Sequence, residues 1–148
     1  MSDDTPYTPP AAPAMQESPV SPAVQSAGRW FYWIVGLSVI NTIMSMSGST
    51  TSFVMGLAMT AVSDALFSEM KIIAFAIDAV VLAFFAFVGM QAVRGRLWAF
   101  YLGIVVYAID ALIYLAFGDW MPVAFHGLAL FFIARGAITL IGERQQRA

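Results

Sequence analysis

The chain has no cysteine and a single histidine, and these two shortages remove several chemistries before any pattern is read. Without cysteine there is no disulfide, no thiolate nucleophile, no iron–sulfur cluster and no cysteine-ligated zinc. One histidine excludes haem held between two imidazoles. Charge is scarce as well: Asp, Glu, Lys and Arg make up only 11% of the residues, for a net charge of −2. No basic run of the kind that tracks phosphates occurs, so nucleic acid is not an expected partner. Gly-rich phosphate loops, nucleophile elbows and paired-histidine zinc helices are absent too. An enzyme is therefore the weakest class, confined to acid–base or metal chemistry inside a membrane, and no particular cofactor is indicated.

What remains is hydrocarbon. Hydrophobic residues make up 60% of 148 residues, well beyond the apolar half and charged quarter of ordinary soluble domains. The expected partner is the lipid bilayer, and the length accommodates four or five spans of about 20 residues with no separate catalytic domain.

Residues 1–28 hold six of the seven prolines, three acids (Asp3, Asp4, Glu17) and neither lysine nor arginine. This composition buries too little apolar surface to offset ordering entropy, so it reads as a disordered tail. Pro6-Tyr7-Thr8-Pro9 and Pro10-Ala11-Ala12-Pro13 also fit a PxxP ligand in outline. A first span is expected over about 30–46, entered through Arg29, Trp30, Tyr32 and Trp33, a basic and aromatic collar suited to the headgroup level. Ser38, Asn41 and Ser45, with Thr42 beside them, give that span one polar face.

The stretch 53–69 places Gly56, Thr60, Ser63 and Asp64 on one helical stripe and Val54, Leu57, Ala58, Ala61, Val62 and Ala65 on another. It reads as an amphipathic helix that lies along, dips into or crosses the membrane, with the interfacial position favoured. Three further spans follow at about 71–92, 98–117 and 121–141. Four spans place Arg29, Arg94, Arg96, Arg144 and Arg147 on one side and Lys71 alone on the other. By the positive-inside rule both termini are then cytoplasmic, and the expected location is the inner membrane.

The expected fold is thus an all-α membrane protein: a four-transmembrane-helix bundle over 29–148, with an amphipathic helix between spans 1 and 2 and a Pro-rich N-terminal tail. Its unusual feature is the four-letter pattern Ala-Ile-Asp-Ala, which recurs in the second and third spans around Asp78 and Asp110. A carboxylate at membrane depth costs a few kcal/mol unless neutralised or paired. Asp78 follows Lys71 by seven residues and Asp110 precedes Phe117 by seven, so both lie roughly 10 Å from the same end. Asn41 and His126 fall near that level.

Tyr107 and Tyr114 flank Asp110 on its helical face as candidate hydrogen-bond donors, and Lys71 stands two turns above Asp78 as a candidate counter-ion. The candidate ligand-binding set is Asp78, Asp110, His126, Asn41, Tyr107 and Tyr114. Asp78, Asp110 and His126 are the candidate metal ligands, although no linear metal motif joins them.

Two functions fit these residues. In one, the polar layer binds or moves a small cationic or polar ligand, a proton and a metal ion included. In the other, the chain is a structural or accessory subunit whose polar groups only fix helix packing. A homo-oligomer or a larger membrane complex suits either. Arg135, in the inner half of the fourth span, points away from His126 and is expected to reach the inner headgroups or to contact an anionic lipid or a partner subunit.

Overall fold

The structure, a computed structural model, describes residues 20–47 and 56–148. Residues 1–19, with both PxxP segments, and 48–55, with the first part of the expected amphipathic helix, lie outside the described residues. Among the described residues there are five helices: α1 (Pro22–Met46), α2 (Ala58–Leu66), α3 (Lys71–Val93), α4 (Leu97–Ala116) and α5 (Trp120–Gln145).

The helix α1 starts at Pro22, not near Trp30 as expected. Composition gave the wrong signal here, because proline suits the first position of a helix, where its missing N–H is not needed. Ser21 caps the turn, its Oγ accepting from the Val24 N–H at 3.4 Å. Beyond that start, Val24, Ala27, Phe31, Ile34 and Ser38 are buried at alternating spacings of three and four. This stripe seats α1 on its neighbours.

The α3–α4 and α4–α5 connections turn on glycine. Gly95 (φ 72°) and Gly118 (φ 74°) occupy the left-handed region, which a Cβ disfavours. After each, the chain closes a paired cap: Arg96 N–H to Gln91 O and Gly95 N–H to Ala92 O, then Asp119 N–H to Tyr114 O and Gly118 N–H to Leu115 O. These caps stop α3 and α4 within a residue of the expected ends, whereas α5 runs on to Gln145.

The four long helices form a ring in the order α1, α3, α4, α5, each packing on the next and α5 closing on α1. Approach is close where glycine removes the side chain. A Cβ on Gly28 would lie 2.7 Å from the Val93 backbone nitrogen, and one on Gly136 would overlap the Cβ of Ala27. Phe31, Phe85, Phe100, Tyr107 and Ile133 fill the centre.

The outside is also apolar. Ile43, Ile72, Val80, Val105, Leu112, Phe131 and Ile138 are all more than half exposed. Among the described residues three helices, α3, α4 and α5, are long and apolar enough to cross a membrane, which points to a membrane-spanning protein. The helix α1 is comparably long but carries the polar stripe of Ser38, Asn41 and Thr42.

The short α2 closes one end of the ring, packing on α3, α1 and α4. At nine residues it is about 13 Å long, too short to cross a bilayer. It buries Leu57, Ala58, Thr60 and Ser63 and leaves Leu66 72% exposed. Its hydroxyl-bearing stripe thus faces the bundle, because the bundle interior at this end is itself polar.

Candidate functional site

The ring brings Ser38 and Thr42 of α1, Asp78 of α3, Asp110 of α4 and His126 of α5 beneath α2, and all five are buried. Two separate constellations result.

The first centres on Asp110, which is fully buried. Its Oδ2 accepts from the Ala58 N–H at 2.8 Å and its Oδ1 from the Met59 N–H at 2.9 Å. These are first-turn amides of α2, which have no partner within their own helix. The carboxylate therefore caps α2 from another helix, where its charge also complements the helix dipole.

His126 Nε2 lies 2.9 Å from the same Oδ2, and its Nδ1 lies 2.8 Å from Pro122 O. A carbonyl only accepts, so Nδ1 carries the proton there. At Nε2 the ring can donate in the same way to the carboxylate. Three donors on one carboxylate are the arrangement expected of a buried acid that is fully satisfied. Ser38 Oγ accepts from the Leu57 N–H at 2.9 Å, and Tyr114 donates its hydroxyl to Gly56 O at 3.2 Å. The entry into α2 is thus held from α1, α4 and, through Asp110, α5.

Tyr107 takes a different part from the one expected. Its ring stacks on His126 with centroids 4.2 Å apart and planes 17° off parallel, while Tyr114 meets the same imidazole edge-on at 5.4 Å. Neither phenol donates to Asp110, and the Tyr107 hydroxyl is buried without a hydrogen-bond partner among the described residues.

The second constellation is Asp78, which is 1% exposed. Thr42 donates to its Oδ2 at 2.9 Å, and Oδ1 has no hydrogen-bond partner among the described residues, the nearby Ser63 hydroxyl donating to Ala74 O instead. Thr42 also lines a pocket of about 190 Å³, together with Asp64, Phe67, Ser68, Lys71, Ala74 and Phe75; Asp78 itself lies behind this wall. Ala74 is one helical turn above Asp78 on the same face of α3. Ser63 of α2 donates to Ala74 O at 3.2 Å, tying the far half of α2 to this wall.

Lys71 does not serve as the counter-ion of Asp78. The ion pairs among the described residues are His126–Asp110 and Arg147–Glu143, and Lys71 lines the pocket instead. Asn41 is half-buried with its amide against Gly56. The four expected groups do not share one hydrogen-bonded cluster: Asp110 and His126 pair with each other, Asp78 pairs with Thr42, and Asn41 sits at the α2 entry. Among the described residues no group of three or more His, Cys, Asp or Glu side chains could hold a metal ion.

Thr42 and Ser38 are the polar residues whose part the sequence reading undervalued. They extend the buried stripe of Val24, Ala27, Phe31 and Ile34 at the same spacing, and that continuity marks them, ahead of Asn41, as inward-facing.

The chain matches no protein-family model, no curated protein and no solved structure.

Proposed function

We propose that the chain is a small integral protein of the inner membrane that binds a small cation or a small polar ligand with a cationic centre at Asp78. Four long helices span the bilayer in this reading, and α2 forms the outer lid. The observation that carries it is the divided environment of Asp78: a buried carboxylate with one oxygen on Thr42 and the other without a donor among the described residues, behind a pocket whose wall includes Thr42, Asp64, Ser68 and Lys71. An unpaired carboxylate oxygen in such surroundings is costly and is relieved by a proton or a cation.

Asp110, His126 and Tyr114 act on the ligand indirectly by holding α2 in place, with Tyr107 packed behind His126 and Asn41 at the lid's hinge. The orientation is supported by charge. Arg29, Arg94, Arg96, Arg144 and Arg147 gather at the end opposite α2, where Arg144 donates to Gly95 O at 2.9 Å, and Lys71 alone stands near α2. The positive-inside rule then places both termini in the cytoplasm.

The test is the thermal stability of the purified full chain titrated with sodium, potassium and divalent cations and with proton concentration. Wild type gains stability with at least one of these, and Asp78→Asn inserts normally but loses the gain. Identical titrations for the two proteins refute the binding reading.

A second reading, a structural or accessory subunit of a homo-oligomer or larger membrane complex, is favoured by the Asp110 cluster. There the contacts of Asp110 all join one helix to another. It requires a stable partner on gentle extraction; recovery of a lone monomer counts against it.

A further inference from the structure

Arg135 is a charged side chain with no ion-pair partner among the described residues. It is exposed on α5, and the carboxylates of the ion pairs among the described residues are taken by other groups, Glu143 by Arg147 and Asp110 by His126. Gly136 packs on Ala27, which places Arg135 level with Arg29 and Trp30, at the arginine-rich end of the ring.

The surface beside Arg135 is a groove between α1 and α5 of about 200 Å³, lined by Ser26, Ala27, Trp30, Phe132, Arg135 and Thr139. Its two ends differ chemically. Ser26 and Thr139 lie toward the arginine-rich end. Trp30 and Phe132 lie toward the middle of the bundle, stacked at 4.8 Å with planes 6° apart. Thr139 spends its hydroxyl hydrogen on Arg135 O, leaving the Arg135 guanidinium and the Ser26 hydroxyl as outward donors.

We propose that this groove is a binding site for an anionic glycerophospholipid. The phosphate sits on Arg135 and Ser26, and the glycerol and first acyl carbons lie against the Trp30–Phe132 stack. The guanidinium fork matches phosphate oxygens in a way a point charge does not. The polar-to-aromatic order along the groove reproduces the order of groups in a lipid from headgroup to chain, at the level where tryptophan and arginine meet the bilayer interface. An anion that merely neutralises charge needs no aromatic floor, so the occupant is the membrane lipid and not free phosphate. The site is remote from Asp78 and does not depend on a ligand there.

The experiment uses the full chain in a neutral detergent, with unfolding temperature read while phosphatidylglycerol, phosphatidylcholine or inorganic phosphate is added. Phosphatidylglycerol raises the unfolding temperature saturably, phosphatidylcholine does so more weakly, and phosphate has no effect. Arg135→Gln shifts half-saturation by phosphatidylglycerol about tenfold, the loss expected for one charge-assisted contact, and Arg29→Gln, outside the groove, leaves it unchanged.

Ser26→Ala weakens the same titration with the starting stability intact, so the site stays testable if Arg135→Gln folds poorly. The proposal is overturned if phosphatidylcholine or inorganic phosphate matches phosphatidylglycerol. It is equally overturned if Arg29→Gln loses as much as Arg135→Gln, or if neither Arg135→Gln nor Ser26→Ala changes the titration.

Discussion

Replacing each intramembrane aspartate by asparagine separates the two constellations by sign as well as size. Asp110 receives three donors: the Ala58 and Met59 amides and His126 Nε2. Asparagine offers one carbonyl oxygen and one NH₂ group. Whichever way it turns, the NH₂ group faces at least one backbone N–H of α2, and that N–H loses its acceptor. If the NH₂ group replaces Oδ2 it can donate to His126 Nε2, but Ala58 N–H is then stranded.

A buried N–H without an acceptor costs about 1–3 kcal/mol, and removing a negative charge from a helix N-terminus costs about 0.3–1 kcal/mol more. Asp110→Asn is therefore expected to destabilise the protein by about 1–4 kcal/mol, less the relief found in membrane bundles, where hydrogen bonds often measure below about 1 kcal/mol. Asp78→Asn differs. The new carbonyl still accepts from Thr42, the NH₂ group occupies the position of an oxygen with no donor among the described residues, and a carboxyl group that is costly to bury in its charged form is replaced by a neutral amide. Its expected effect is between zero and a gain of about 1 kcal/mol.

The assay is equilibrium unfolding of both variants in the same detergent without added ligand, followed by far-UV circular dichroism and by protection of α2 from proteolysis. Asp110→Asn should expose α2 first. If Asp78→Asn is the more destabilised variant, or if Asp110→Asn keeps both wild-type stability and a protected α2, the assignment of roles is refuted.

Three other outcomes follow from the packing. Gly28→Ala drives a methyl group into the Val93 backbone, which cannot rotate away, and should lower stability by about 1–3 kcal/mol by parting α1 from α3; thermal unfolding measures it. Tyr107→Phe removes a hydroxyl that has no partner among the described residues and keeps the ring on His126, so it should be neutral within about 1 kcal/mol, whereas Tyr107→Leu loses an aromatic pair worth about 0.5–1.5 kcal/mol. Tyr114→Phe removes the bond to Gly56 O and should cost about 0.5–1.5 kcal/mol, with faster hydrogen exchange at the start of α2 as its local sign.

The helical class, the apolar exterior and the ends of α3 and α4 were legible in the residue order because each is a local property. Hydrophobic run length, three-and-four spacing and a glycine able to adopt positive φ act within a few residues. The placement of Asp78, Asp110 and His126 inside the bundle was legible for the same reason, since a charge in an apolar run has no favourable outward position. The start of α1 misled because proline signals both disorder and a helix's first turn. Only the capping contact of Ser21 decides between them.

Partnership was not local. Asp110 reaches the amides of α2 across a sequence separation of 52 residues, and Thr42 reaches Asp78 across 36. Those pairings depend on the cyclic order of the helices, the rotation of each about its axis and the angle at which α2 enters. Periodicity showed which groups must turn inward. Which of them meet, leaving Asp110 satisfied three times over and Asp78 with one oxygen unpartnered among the described residues, was decided by tertiary packing, because donors and acceptors are matched in space and not along the chain.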